Sequence, residues 1–167
     1  VVSLEWAAML AEAAAVMLRE LEHPGVEARR ATIQDLRAEV QRRSTAQDIR
    51  PDLWGNVEAA LKRDGFPVEK YRWLVEAFRA VPRAAFLPEF IRRWAHHDEV
   101  LPLPAKGSTV SQPSRVFKQL AYLDPEPDQH VLEIGSGSGY VTALLARVGG
   151  PDGEVTGLER HRAIAVR

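Results

Sequence analysis

"HVLEIGSGSGY", residues 130–140, decides the fold of this chain: a short apolar run leads straight into three glycines at alternate positions, Gly135, Gly137 and Gly139. Residues 131–134 read as a strand, 140–148 as a helix, "GGPDG" as a turn and 154–158 as a second strand. Strand, helix and strand within about thirty residues form the unit that closes as a right-handed parallel crossover. A strand that enters glycines ahead of a helix brings backbone N–H groups and the positive end of the helix dipole to one point. A ligand can approach there without Cβ atoms in the way.

The spacing narrows the ligand. The glycines run G-x-G-x-G, whereas the dinucleotide fingerprint is G-x-G-x-x-G, and Tyr140 stands where that fingerprint needs a small residue for close helix packing. No Gly-Lys-Ser/Thr follows, which argues against a phosphate loop. Glu133 lies near the end of the first strand, and Glu159 ends the second, twenty residues beyond Gly139. A carboxylate in the second place can accept two hydrogen bonds from ribose hydroxyls. The plainer reading of Glu159 is an exposed charge in "ERHR". Strand, helix, strand and placed acid together favour a nucleoside-cofactor site.

Working back from the turn, Pro113 suits the first position of a helix over 113–123, which "DPEPDQ" ends. Four prolines between 82 and 104 exclude a long regular element and predict a structured connection. His96 and His97 are adjacent, point in different directions on either a helix or a strand, and read as surface histidines; no metal site is expected. Helices are expected over 53–63 and 68–80, the second with an apolar stripe of Leu74, Val75, Phe78 and Val81. "STAQDIRPD", 44–52, reads as a linker. Before it, helices are expected over 3–22 and 26–43, the latter with Ile33, Leu36 and Val40 on one side and Arg29, Arg30, Arg42 and Arg43 mostly on a solvated face. The organisation expected is a helical extension (1–50), a helical subdomain (51–105) and the first part of a cofactor-binding domain (106–167).

Composition bounds the class. At 46% hydrophobic the 167-residue chain can bury a core, and 22 Lys plus Arg against 23 Asp plus Glu give no footprint for nucleic acid or anionic lipid. There is no cysteine, hence no disulfide framework. Glu5 and Glu12 interrupt the apolar opening, and no positive segment precedes it as in a signal peptide. No uncharged run approaches the ~18 residues of a membrane span. A soluble cytoplasmic protein with no nucleic-acid or membrane partner is expected, its oligomeric state open. The chain begins with Val and stops at "HRAIAVR" inside a helical pattern, so a longer gene product is expected.

"VLEIGSGSGY" followed by "GEVTGLER" resembles the first two motifs of class I S-adenosylmethionine-dependent methyltransferases. Upstream, "AVPRAAFLPEF", "LPLP" and "STVSQP" resemble, in order and spacing, the N-terminal half of the protein-L-isoaspartate O-methyltransferases, over roughly residues 55 to 167. The resemblance implies an α/β fold: the start of a Rossmann-like class I methyltransferase domain with an incomplete parallel sheet, preceded by a helical N-terminal region. It implies S-adenosyl-L-methionine as cofactor and an isoaspartyl-containing protein or peptide as substrate, methylated on its α-carboxylate in protein repair. A carboxylate with a pKa near ~3.5 is already ionised at neutral pH, so such a reaction asks mainly for alignment and exclusion of water.

Carried over position by position, the resemblance makes Ser111 the catalytic residue, its hydroxyl holding the substrate carboxylate. The competing reading is that Ser111 helps cap the helix at Pro113. Ser108, Thr109, Val110, Ser111, Glu133, Ile134, Gly135, Ser136, Gly137, Gly139 and Glu159 are the implied cofactor contacts, with Glu159 on ribose and Tyr140 packing over the cleft. "PAKGST" departs from the family pattern: Pro104 and Ala105 stand near an expected glycine and Ser108 in the place of Gln. Ser114 and Arg115 also differ, all on the substrate side, and the first fifty residues have no counterpart in the compact repair enzymes. The class I fold carries strands beyond the two read here, so apolar sheet surface should be exposed and these residues alone inactive, the intact gene product being the enzyme. Two rivals stand beside repair: a carboxyl methyltransferase that tailors ribosomally made peptides, with residues 1–50 reading a leader or partner, and a non-catalytic interaction module.

Overall fold

The computed structural model describes residues 27–31, 52–105 and 108–165. Helix α1, Leu53–Arg63, starts where the Asp52 carboxylate accepts the Trp54 N–H at 3.1 Å. It stops at Gly65, whose φ of +68° lets the Phe66 N–H reach the Leu61 carbonyl and its own N–H the Lys62 carbonyl. Pro67 opens a single 3-10 turn, Val68–Tyr71, before α2, Arg72–Ala80, so the helix expected over 68–80 begins more tightly wound than an α-helix. Two further 3-10 turns, Arg83–Phe86 and Glu89–Trp94, build the proline-rich connection, which ends in a hairpin of β2, Leu101–Pro102, and β3, Thr109–Val110.

Helix α3 is Pro113–Leu123, closed by Asp124 in the left-handed region, and β4, His130–Ile134, carries the chain into the glycines. Helix α4, Tyr140–Gly149, returns it to β5, Glu154–Glu159, which pairs parallel with β4 in the expected crossover. A short helix α5, Arg162–Ala165, follows.

The N-terminal region corrects one expectation. Residues Glu27–Ala31 are not helical; they form β1, which pairs antiparallel with β5 from Glu27 opposite Glu159 to Ala31 opposite Val155. "EARRA" has no β-branched or aromatic residue, so nothing local favours a strand. The pairing satisfies the edge of β5, an instance of tertiary context overriding propensity. The sheet therefore runs β1-β5-β4, with one parallel and one antiparallel pair. The rest of 26–43 and the helix expected over 3–22 lie outside the described residues, as does all of the 44–52 linker except Asp52.

One apolar core runs from Trp54 to Ile164, uniting α1, α2, α3, α4 and β5. Phe117 is fully buried at its centre, with ring centroids 5.6 Å from Trp54 and 5.4 Å from Phe78. Phe78 and Phe86 in turn meet Tyr140 at 6.2 and 5.7 Å. This aromatic chain ties the helical layer to the first residue after the glycines, so the position of the turn depends on the core. Leu132 on β4, an edge strand of the described sheet, stays 46% exposed.

Candidate active site

The turn is built from internal hydrogen bonds. The N–H groups of Gly135 and Ser136 both donate to the Leu158 carbonyl at the end of β5, at 2.8 and 2.9 Å, and the Gly139 N–H donates to Ser136 O at 2.8 Å. Gly135, Gly137 and Gly139 have φ of +78°, +55° and +82°, a region that side chains rarely enter, which explains the alternate spacing. Gly157 on β5 lies beneath the turn: a Cβ there would come 3.0 Å from Ser136 Cβ and 3.2 Å from Thr142 Oγ1.

Two carboxylates frame this cradle. Glu159 is only 7% exposed; its Oε2 accepts the Gly137 N–H at 2.9 Å and its Oε1 the His161 N–H at 2.7 Å. It is thus an organised acceptor and not a loose surface charge, and each oxygen has a second lone-pair site for a hydroxyl donor. Glu133, opposite Gly157 in the sheet, accepts a hydrogen bond from the Thr142 hydroxyl. Glu133 is half-buried. Burial pushes its carboxyl up to about 7, against the Thr142 hydrogen bond and with the negative charge of Glu159 adding to the rise.

The hairpin brings the serine segment alongside. The Leu103 N–H donates to Ser108 O at 2.9 Å, and Leu103 Cδ1 lies 3.6 Å from where a Cβ on Gly137 would stand, so the hairpin loop abuts the glycine turn. Thr109 and Ser111 are exposed, Ser108 is half-buried, and Val110 is buried in the apolar core, leaving its backbone as the group it can offer a ligand. Ser111 does not cap α3. The N-cap is Gln112, without a side-chain cap bond, and Asp98 serves the helix start instead: Oδ1 accepts the Ser114 N–H at 2.7 Å and Oδ2 the Gln112 Nε2 at 3.1 Å.

Sequence reasoning placed Tyr140 over the cleft; the structure buries it completely against Phe78 and Phe86, a strut between layers. It missed Asp98, Thr142, Gly157 and Arg83. A glycine inside a strand pattern is itself a signal of close backbone approach, and Gly157 carried it. Asp98 and Arg83 act on groups distant in sequence and left no local sign. Arg83 is 1% exposed, and burial lowers its guanidinium to about 10, still protonated at neutral pH. A groove of about 420 Å³ between Trp73, Glu76, Pro125 and Arg147 lies at the far end of α4, away from the glycines. Among the described residues no cluster of three or more potential metal ligands occurs, and no helix is long and apolar enough to cross a membrane.

The family profile of protein-L-isoaspartate(D-aspartate) O-methyltransferase (PCMT) matches residues 57–167. The chain belongs to this family. Among PCMT relatives, the protein-L-isoaspartate O-methyltransferase of Aeropyrum pernix is 42% identical over 105 residues, covering 63% of this chain and 39% of the relative. Protein-L-isoaspartate O-methyltransferase 1 of Rhodopseudomonas palustris is 46% identical over 92 residues, covering 55% and 36%. The chain therefore spans well under half the length of these PCMT relatives. A solved protein-L-isoaspartate O-methyltransferase structure superposes with a TM-score of 0.55 at 31% identity, over 66% of this chain and 35% of the other. A Plasmodium falciparum protein, solved in complex with S-adenosyl-L-homocysteine, matches with a TM-score of 0.56 over 69% of this chain and 52% of its own, and at 24% identity shows the shared fold. This chain is thus an α/β portion of the PCMT fold that holds the glycine turn and the serine segment.

Proposed function

We propose that the gene product is an S-adenosylmethionine-dependent methyltransferase that esterifies the α-carboxylate of L-isoaspartyl residues in proteins and peptides, a repair reaction of the cytoplasm. The observation that carries the reading is the pair Glu133 and Glu159, held at the ends of adjacent parallel strands around a turn of three positive-φ glycines, in a chain of the PCMT family. These residues fit the cofactor. The glycine cradle leaves a surface without Cβ atoms, Glu159 retains acceptor capacity for two ribose hydroxyls, and Glu133 offers a second carboxylate to a cationic ligand. Ser108, Thr109, Val110, Ile134 and Ser136 would line the same site. When bound, S-adenosylmethionine supplies a methyl group activated on a sulfonium.

The chain's own residues have the remaining work of binding and alignment. Ser111 sits exposed between β3 and α3, its hydroxyl relieved of capping by Asp98, and would donate to one oxygen of the substrate carboxylate so that the other faces the methyl group. No residue need remove a proton, because an α-carboxylate is ionised at neutral pH. A chain without cysteine needs no oxidising compartment.

The test is to incubate the full gene product with radiolabelled S-adenosylmethionine and a peptide carrying one isoaspartyl residue, beside its normal aspartyl twin. Methyl ester on the isoaspartyl peptide alone is expected. Cofactor binding without transfer to that peptide would overturn repair in favour of a tailoring substrate, and no cofactor binding would leave an interaction module.

A further inference from the structure

The segment "AVPRAAFLPEF" contains a buried cation with no evident task in the reaction. The Arg83 guanidinium makes its hydrogen bonds to backbone carbonyls, with the Asp98 carboxylate acting on it only electrostatically: Nη1 donates to Ala95 O at 3.3 Å and His97 O at 3.0 Å, and Nη2 to Glu99 O at 2.8 Å and Ser111 O at 3.2 Å. Desolvating a charge onto neutral acceptors is a poor way to stabilise a core, where an apolar side chain of similar volume does as well or better. What a planar fork of five donors does uniquely is fix several acceptors in one plane. Nη2 joins two stretches of chain, the 95–99 segment and the end of β3.

We propose that Arg83 is a positioning residue for Ser111. The backbone around Ser111 is fixed from both sides. Arg83 holds the Ser111 carbonyl, while Asp98, within the segment that Arg83 also holds, binds the Gln112 side chain and the Ser114 N–H. Pro113 confines Gln112 to extended backbone, observed at φ −59° and ψ 127°. Four consecutive residues are thus pinned at three points, and the exposed Ser111 side chain projects from a rigid base. Reactions that depend on alignment are sensitive to small displacements of such a base. A lysine would keep the charge, but one ammonium nitrogen with three donors cannot hold the four carbonyls that the two terminal guanidinium nitrogens share.

The proposal rests on the reading of Ser111 as the group that holds the substrate carboxylate. Its test is a double-mutant cycle in the full gene product: Arg83→Lys, Ser111→Ala and the pair, with kcat and KM for the isoaspartyl peptide and, separately, Kd for S-adenosylmethionine. Arg83→Lys is expected to lower kcat/KM for the peptide by ~10–100-fold while Kd for the cofactor changes by less than ~3-fold. In the Ser111→Ala background the same change should add less than ~3-fold, since coupled residues are non-additive. Equal losses in both backgrounds, or cofactor and peptide parameters falling together as the folded fraction falls, would overturn the proposal. If Arg83→Lys does not fold, Asp98→Asn loosens the same base from its other side, and full additivity with Ser111→Ala contradicts the proposal equally. A wild type that transfers no methyl group overturns the reading of function and this proposal with it; a wild type that transfers, with additive variants, overturns this proposal alone.

Discussion

Glu159 holds Gly137: the carboxylate at the end of β5 accepts the N–H of the middle glycine at 2.9 Å, 22 residues away in sequence. One side chain thereby fixes the shape of the turn and keeps acceptor sites for a ligand. Glu159→Gln preserves volume but replaces one acceptor oxygen with a donor and removes the charge. Because hydrogen bonds to charged groups contribute ~1.5–3 kcal/mol, cofactor affinity should fall by ~10–150-fold. Calorimetric titration with S-adenosylmethionine checks this, and an unchanged Kd would remove Glu159 from the site.

Glu133 predicts a pH dependence whose sign follows from its raised pKa of about 7. Between the ordinary value of 4.5 and about 7, the unfolded chain loses this proton while the folded one keeps it. The folded state then binds more protons, so stability falls as pH rises through that window and is flat above it. The loss should be ~1–3 kcal/mol, given 1.4 kcal/mol per pKa unit and some relief by solvent. Urea unfolding at intervals from pH 4.5 to 8 should show this slope in the wild type and lose it in Glu133→Gln. A cationic cofactor should also bind more tightly as Glu133 ionises.

Gly157→Ala places a Cβ 3.0 Å from Ser136 Cβ and 3.1 Å from Ser136 Oγ, so the turn must shift. Overpacking of this kind costs ~1–3 kcal/mol, and the displaced turn should weaken cofactor binding as well. Thermal unfolding with and without S-adenosylmethionine separates the two effects: the variant should show both a lower Tm and a smaller ligand-induced rise.

Phe117→Ala removes the centre of the aromatic chain that runs from Trp54 through Phe78 to Tyr140. A loss of ~3–5 kcal/mol in denaturant unfolding is expected, the range for a fully buried phenylalanine. A loss below ~1 kcal/mol would mean that Phe117 is not at the core.

What could be read from the sequence was what the chain decides locally. Residues 130–159 announce strand, turn, helix and strand because glycine spacing and apolar runs act over a few residues, and α3 is marked by Pro113 at its start. β1 was illegible because "EARRA" becomes a strand only against the edge of β5, more than a hundred residues on. The candidate site divided the same way. The glycines and the two glutamates stood out, but Asp98 and Arg83 depend on acceptors and donors that lie 12 to 28 residues away and meet only after folding.

The central proposed role is that of Ser111, which would align an isoaspartyl carboxylate beside a cofactor held by the glycine turn. Its most direct test is methyl-ester formation on an isoaspartyl peptide by the full gene product and by its Ser111→Ala variant, with cofactor affinity measured alongside. Robust transfer by the wild type, a fall of ~100-fold or more in kcat/KM for the variant, and an unchanged cofactor Kd are predicted. Full turnover by Ser111→Ala would contradict the account.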